Sequence, residues 1–123
     1  MWRLKQMIHA LDPSLSALRA LGKKMEVTAN NISNVNTFGF KKSRALFQEA
    51  SPSGVMVSIS QVNTPGSPLP PEDGAKGAQE SSNVEVEEEM VNLITTKHAY
   101  AANLKSLQAE DEILGTLLDI VDR

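Results

Sequence analysis

The chain has 123 residues, of which 41% are apolar and only 4% aromatic, so it reads as one small domain without the rings for a large compact core. A net charge of −3 favours neither nucleic acid nor an anionic membrane. The absence of cysteine removes disulfides and thiol catalysis and weakens any zinc proposal.

The start, "MWRLKQMIHALDPS", is basic and partly apolar. Its apolar run is broken by Lys5, Gln6, His9 and Asp12, and no small-residue cleavage site follows, so a secretory signal is not expected. No segment approaches the roughly 18 apolar residues of a membrane helix. The expectation is a soluble chain with no direct membrane span, exported, if at all, by a route other than general secretion.

From Asp12 the pattern turns helical, with Asp12 as cap and Pro13 at the first helical position. Leu11, Leu15, Leu18, Gly22, Met25, Ala29 and Ile32 then recur with spacings of four and three, a heptad seam. It stops at "TANNISNVNTFGFKKS", where Asn30, Asn31, Asn34, Asn36, Thr37, Gly39, Phe40 and Lys41 form a joint. Asn34 and Asn36 tolerate left-handed backbone, Gly39 permits a reversal, and Phe38 and Phe40 flank it as apolar anchors. The segments "RALFQE" and "VMVSISQV", separated by "SPSG", predict a hairpin with Val55, Val57 and Ile59 on one face. Residues 63–81 are rich in proline and glycine and read as a loop or linker.

The final helix is predicted over 86–121, about 54 Å long. "SNVE" looks like a capping box from Ser82 to Glu85, and Glu85, Glu87, Glu88 and Glu89 suit the positive end of the helix dipole. Its seam runs through Val86, Met90, Leu93, Tyr100, Leu104, Leu107, Leu114, Leu118 and Val121, broken by Lys97 and Asp111. The fold class is therefore mainly α. N- and C-terminal helices pair as a coiled-coil-like bundle, with a small β-hairpin and a Pro/Gly-rich loop between them. The segments are 1–43, 44–81 and 82–123. Leu15, Leu18, Met25 and Ile32 are expected to pair with Met90, Leu93, Leu104 and Leu107. A first helix of only about 30 Å leaves Leu114, Leu117, Leu118 and Val121 uncovered, so a neighbouring copy is needed.

Candidate chemistry is sparse. Asn31-Ile32-Ser33 is a formal glycosylation sequon, but it sits inside a helical pattern. His9 and His98 lack metal-ligand spacing, and the acidic run lacks the alternation and glycine of a calcium loop. Lys41, Lys42 and Arg44 are too few for nucleic acid. No catalytic residue, metal or cofactor is expected.

Two blocks carry a family likeness. "ALRALGKKMEVTANNISNVNTFGFKKSRALFQ" contains an A-N-N-x-x-N run followed by T-x-G-F-K, matched by Asn30, Asn31, Asn34, Thr37, Gly39 and Lys41. "SNVEVEEEMVNLITTKHAYAANLKSLQAEDEILGTLLDI" carries Asn83, Val84, Val86, Glu88, Glu89, Met90, Val91, Asn92, Tyr100 and Asn103 in the spacing of a closing helix. Together they resemble the bacterial flagellar basal-body rod and hook family. The resemblance implies a non-enzymatic, self-assembling subunit exported through the flagellar type III apparatus without signal cleavage. Its partners would be copies of itself and other rod proteins, and the short middle segment implies a proximal-rod member. The alternative is a coiled-coil adaptor or regulator that binds one partner helix with fixed stoichiometry.

Overall fold

The computed structural model describes residues 2–71, 77 and 79–123, with the side chains of residues 3, 4 and 6–11 outside that description. Leu11 of the expected seam, the His9 side chain, and residues 72–76 and 78 of the Pro/Gly-rich segment thus lie outside the described residues. The described elements are two long helices, a hairpin and a short ladder, in the order α1 (Trp2–Ser33), β1 (Ser43–Glu49), β2 (Val55–Gln61), β3 (Pro68–Leu69), β4 (Gln79–Glu80) and α2 (Val86–Val121). The architecture is mainly α, as the two helical periodicities imply.

Helix α1 starts ten residues earlier than the Asp12–Pro13 boundary read from the sequence, and Pro13 lies inside it. Residues 2–11 are mostly good helix formers, and a proline costs the helix one N–H donor, which this chain tolerates. One turn on, the Ser16 hydroxyl donates to the Pro13 carbonyl (2.8 Å). At 1.5 Å per residue α1 is about 48 Å long against about 54 Å for α2, so the two helices are nearly matched in reach. They run antiparallel, with Val27 and Thr28 near the end of α1 beside Glu89 and Asn92 at the start of α2.

The hairpin forms in the register that alternation demands. Phe47 faces Val57, Ala45 faces Ile59 and Leu46 faces Ser58. Its inner face lies on α1, with Val55 and Val57 beside Ser16 and Ala20. Lys24 of α1 sits 5.7 Å from the centre of the Phe47 ring, a cation–π contact. The "SPSG" turn does more than reverse the chain. Gly54 has φ +102°, and a Cβ there would come 2.6 Å from the Ser16 hydroxyl, which accepts the Val55 N–H at 3.0 Å. Glycine is needed to bring strand and helix this close.

Within the segment read as linker, Pro68–Leu69 and Gln79–Glu80 pair as a two-residue antiparallel ladder. Gly66 permits it, because a Cβ at Gly66 would run into the Ser81 carbonyl. Ser81 N–H then donates to the Ser67 carbonyl (2.9 Å).

Among the described residues the buried apolar side chains are Ala20, Leu21, Val27 and Val84. Around them, Thr28, Asn31, Lys42, Ser82, Glu89 and Thr96 are buried although polar. Helix α1 carries two contact faces, one toward the hairpin and one toward α2. Small residues such as Ala20 let both approach.

Candidate functional site

The joint is held by side-chain amides acting as backbone substitutes. Asn31, 1% exposed, donates from Nδ2 to the Ser43 carbonyl (2.8 Å) and accepts the Ser43 N–H at Oδ1 (3.0 Å). That reciprocal pair is the pattern one strand residue makes with another, so α1 is bonded to the first residue of β1 like a neighbouring strand. Asn83, just before α2, does the same at the other edge. Its Oδ1 accepts the Lys42 N–H (2.7 Å), while its Nδ2 donates to the carbonyls of Val62 (2.8 Å) and Thr64 (3.0 Å). One amide thereby clasps both strand ends, and the Asn83 N–H reaches the Phe40 carbonyl (3.2 Å).

These bonds displace the expected capping box. The Ser82 hydroxyl accepts from Val84 N–H (3.2 Å), and the helix starts after Glu85, whose backbone is extended and whose side chain makes no capping hydrogen bond. Asn83 holds residues 82–84 against the hairpin, so the helix cannot begin there. The acidic first turn, Glu87, Glu88 and Glu89, remains at the positive end of the dipole.

Gly39 alone of the joint takes positive φ (+68°), and among the described residues no other residue type does. Asn34 and Asn36 therefore do not adopt left-handed backbone. Asn34 instead donates from Nδ2 to the Asn30 carbonyl (2.9 Å) and accepts the Thr37 hydroxyl (3.1 Å), closing the last helical turn. Gly39 N–H donates to the Glu80 carbonyl (2.8 Å), and Lys41 reaches the Glu80 carboxylate (3.0 Å) and the Thr64 carbonyl (3.1 Å). Phe40 is half-buried, whereas Phe38 is 65% exposed and anchors nothing; Asn36 also faces solvent.

An ion cluster crosses the joint. The buried Lys42 donates to Glu88 (2.8 Å), with Arg44 on the other carboxylate oxygen at 3.6 Å. The Lys42 hydrogen bond holds the Glu88 carboxyl below its ordinary value; partial desolvation works against this, and the Lys42 and Arg44 charges add to it.

Along the helix pair, the face of α2 turned to α1 lies one residue N-terminal to the apolar seam over much of its length. Glu89, Asn92, Thr96, Ala99 and Asn103 line it, then Leu107, Glu110, Leu114 and Leu117. Two of its polar groups are served by the helix itself, whereas one carboxylate oxygen of Glu110 is buried without a hydrogen-bond partner among the described residues. Thr96, 2% exposed, donates to the Asn92 carbonyl (2.6 Å), and Asn103 donates to the Ala99 carbonyl (2.9 Å). A group satisfied within its own turn can be buried without a partner across the interface.

The consequence is an apolar outer face. Met90 is 53% exposed, Leu118 53% and Val121 73%; Leu93 and Leu104 are exposed too, beside Val91, Ile94, Ile113 and Ile120. Tyr100, Leu107 and Leu114 are half-buried. On α1, Leu15 is exposed and Leu18, Met25 and Ile32 are half-buried, while Ala20, Leu21 and Val27 are the buried apolar residues among those described. The surplus of exposed apolar surface thus arises from the direction α2 faces, not from a shorter α1. Among the described residues, no helix is long and apolar enough to cross a membrane and no cluster of three or more metal-ligating side chains occurs.

Two helical ends joined by a clasped hairpin match two family models. Residues 11–41 match flagella basal body rod protein, and residues 75–120 match the flagellar basal body rod FlgEFG protein C-terminal region. The flagellar basal-body rod protein FlgC of Aquifex aeolicus (strain VF5) is 29% identical over 125 residues, covering 89% of this chain and 93% of the relative. FlgC of Bacillus subtilis (strain 168) is 26% identical over 144 residues, covering 91% and 96%. The basal-body rod protein FlgG of Bacillus subtilis is 44% identical over 43 residues, 35% of this chain but only 16% of that relative. The chain belongs to the flagellar basal-body rod protein family, and its likeness to FlgC runs nearly end to end.

Proposed function

We propose that this chain is a structural, non-enzymatic subunit of the flagellar basal-body rod. It assembles through its terminal helices with copies of itself and other rod proteins into the axial shaft that crosses the periplasm. It reaches that place through the flagellar type III export apparatus, with no signal peptide cleaved. The observation that carries the reading is the outer face of α2, where Met90, Leu104 and Leu118 stay in water although the helix has a partner. Because these side chains are already about half covered, burying the rest of each against a neighbour recovers about 1 kcal/mol apiece. Full-length likeness to FlgC supports placing the chain in the rod rather than among larger hook subunits.

The test is recovery. An epitope-tagged chain expressed in its own bacterium should co-purify with detergent-extracted basal bodies and label the rod in electron micrographs. Its N-terminal residue there should equal that of the unexported chain. Complete rods in a deletion strain would contradict the proposal.

A further inference from the structure

The hairpin has two edges, and its hydrogen bonds fix which backbone groups each edge shows. Val62 N–H donates to the Lys42 carbonyl (2.8 Å) and Ala50 N–H to the Gly54 carbonyl (3.0 Å). In the observed register, Arg44/Ser60, Leu46/Ser58 and Gln48/Met56 are then the pairs that exchange bonds inside the hairpin. The residues between them turn N–H and C=O outward. Two of these are already engaged: Ser43 by Asn31 in both directions, and the Val55 N–H by the Ser16 hydroxyl. Ala45, Phe47 and Glu49 on β1, and Val57, Ile59 and Gln61 on β2, have no outward backbone partner among the described residues.

The β2 edge is unguarded. "VMVSISQ" holds no charge and no proline, the usual devices that keep a strand from pairing. Helix α1 runs beside it, with Ser16 and Arg19 near Val55 and Val57, and Lys23, Glu26 and Asn30 near Ile59. Lys23 and Glu26 pair with each other at 3.0 Å. Arg19 is exposed and has no ion pair among the described residues, and the same holds for Glu49 on β1.

We propose, resting on the rod reading above for the presence of adjoining copies, that β2 of one copy takes β1 of the next as a third, antiparallel strand. Val57 pairs with Glu49 of the next copy, Ile59 with its Phe47, and Gln61 with its Ala45. Each open residue is used once, because a copy offers β2 to one neighbour and β1 to another. The incoming Glu49 lies beside Val57 on the α1 side of the joined sheet, where Arg19 supplies its counter-charge. Phe47 lies against Ile59, an aromatic and β-branched pair. Gln61, the last residue of β2, meets Ala45, which is half-buried beside the first turns of α2. A two-stranded hairpin is marginal alone in water, and the join makes it part of a wider sheet.

Other arrangements satisfy less. Sliding the strands by two residues either way leaves two open pairs instead of three. A β2–β2 pair centred on Ile59 sets Gln61 rather than a carboxylate beside Val57 and Arg19. It also closes at two copies with both β1 edges still open.

The test is residue-resolved amide exchange on the full chain, free and self-assembled. Assembly should slow exchange at Phe47, Val57 and Ile59 at least about tenfold, while Met56 and Ser58, bonded within the hairpin, are protected beforehand. Because the chain lacks cysteine, two single-cysteine chains report the register. Phe47→Cys mixed with Ile59→Cys should cross-link on oxidation, and neither should do so alone. Arg19→Glu placed in the Ile59→Cys chain should cut that yield several-fold, and Glu49→Arg in the Phe47→Cys chain should restore it. Assembly that leaves Val57 and Ile59 exchanging as in the free chain would overturn the joined sheet, and so would an Ile59→Cys chain that links to itself. In either case the rod reading would stand. A wild-type chain that never self-associates would overturn both.

Discussion

Asn31 and Asn83 hold the hairpin to the helices through bonds that no apolar residue can replace. Asn31→Ala would leave the Ser43 N–H and carbonyl unpaired in a closed site, with an expected loss of roughly 2–4 kcal/mol in urea denaturation. Asn31→Asp should cost a similar amount, because a carboxylate oxygen would then face the Ser43 carbonyl. Glu88 supplies a pH effect of known sign. Its carboxyl is held low in the folded chain, so its contribution is present above the ordinary carboxylate range and is lost as pH falls through the lowered value. With 40% of the Glu88 side chain exposed, solvent screening keeps that contribution below about 1 kcal/mol. Glu88→Gln should therefore flatten the acid limb of a stability–pH curve while changing its plateau little. The sequence showed these asparagines as residue types that bend or end a helix. It could not show that Asn31 bonds across twelve residues or Asn83 across forty-one, because each partner is a backbone group and carries no side-chain signature.

At the scale of elements, two glycines set how closely chain segments approach. Gly54→Ala forces a Cβ onto the Ser16 hydroxyl at positive φ, and the expected cost is about 1–3 kcal/mol in thermal or urea unfolding. Gly66→Ala collides with the Ser81 carbonyl; amide exchange at Ser81, whose N–H is bonded to Ser67, should accelerate in that variant while exchange within α2 stays unchanged. The hairpin and the span of α2 were readable because alternation and heptad spacing are local signals. The start of α1 was not. Pro13 reads as a first-turn residue, and only the helix formers before it argue for continuation. The two-residue ladder inside the Pro/Gly-rich segment was equally hidden, since it depends on the missing Cβ of Gly66.

For the whole molecule, what matters is which side of α2 the chain keeps for itself. Counting apolar residues selects Met90, Leu93, Leu104 and Leu118, and a helix hairpin standing alone would be expected to bury that stripe. It turns Glu89, Thr96 and Asn103 inward instead, with Thr96 and Asn103 bonded to their own helix, and presents the leucines and methionine to water. Periodicity gave no warning of this rotation, because hydrophobicity scales score threonine and asparagine without asking whether their own turn satisfies them. Thr96 and Asn103, bonded within their own helix, permit packing against α1 within one molecule and leave the apolar seam for others.

The most direct test of that division is a sedimentation-velocity series over a wide range of concentration. It would compare the wild-type chain with Leu104→Asp, a change on the outer face that leaves the inner seam intact. Wild type should associate progressively, without stopping at a dimer, and more strongly in sulfate, which favours apolar burial; Leu104→Asp should stay monomeric and equally helical. A wild-type chain that remains one copy at every concentration, or a variant that associates just as well, would contradict the assignment of α2's outer face to assembly.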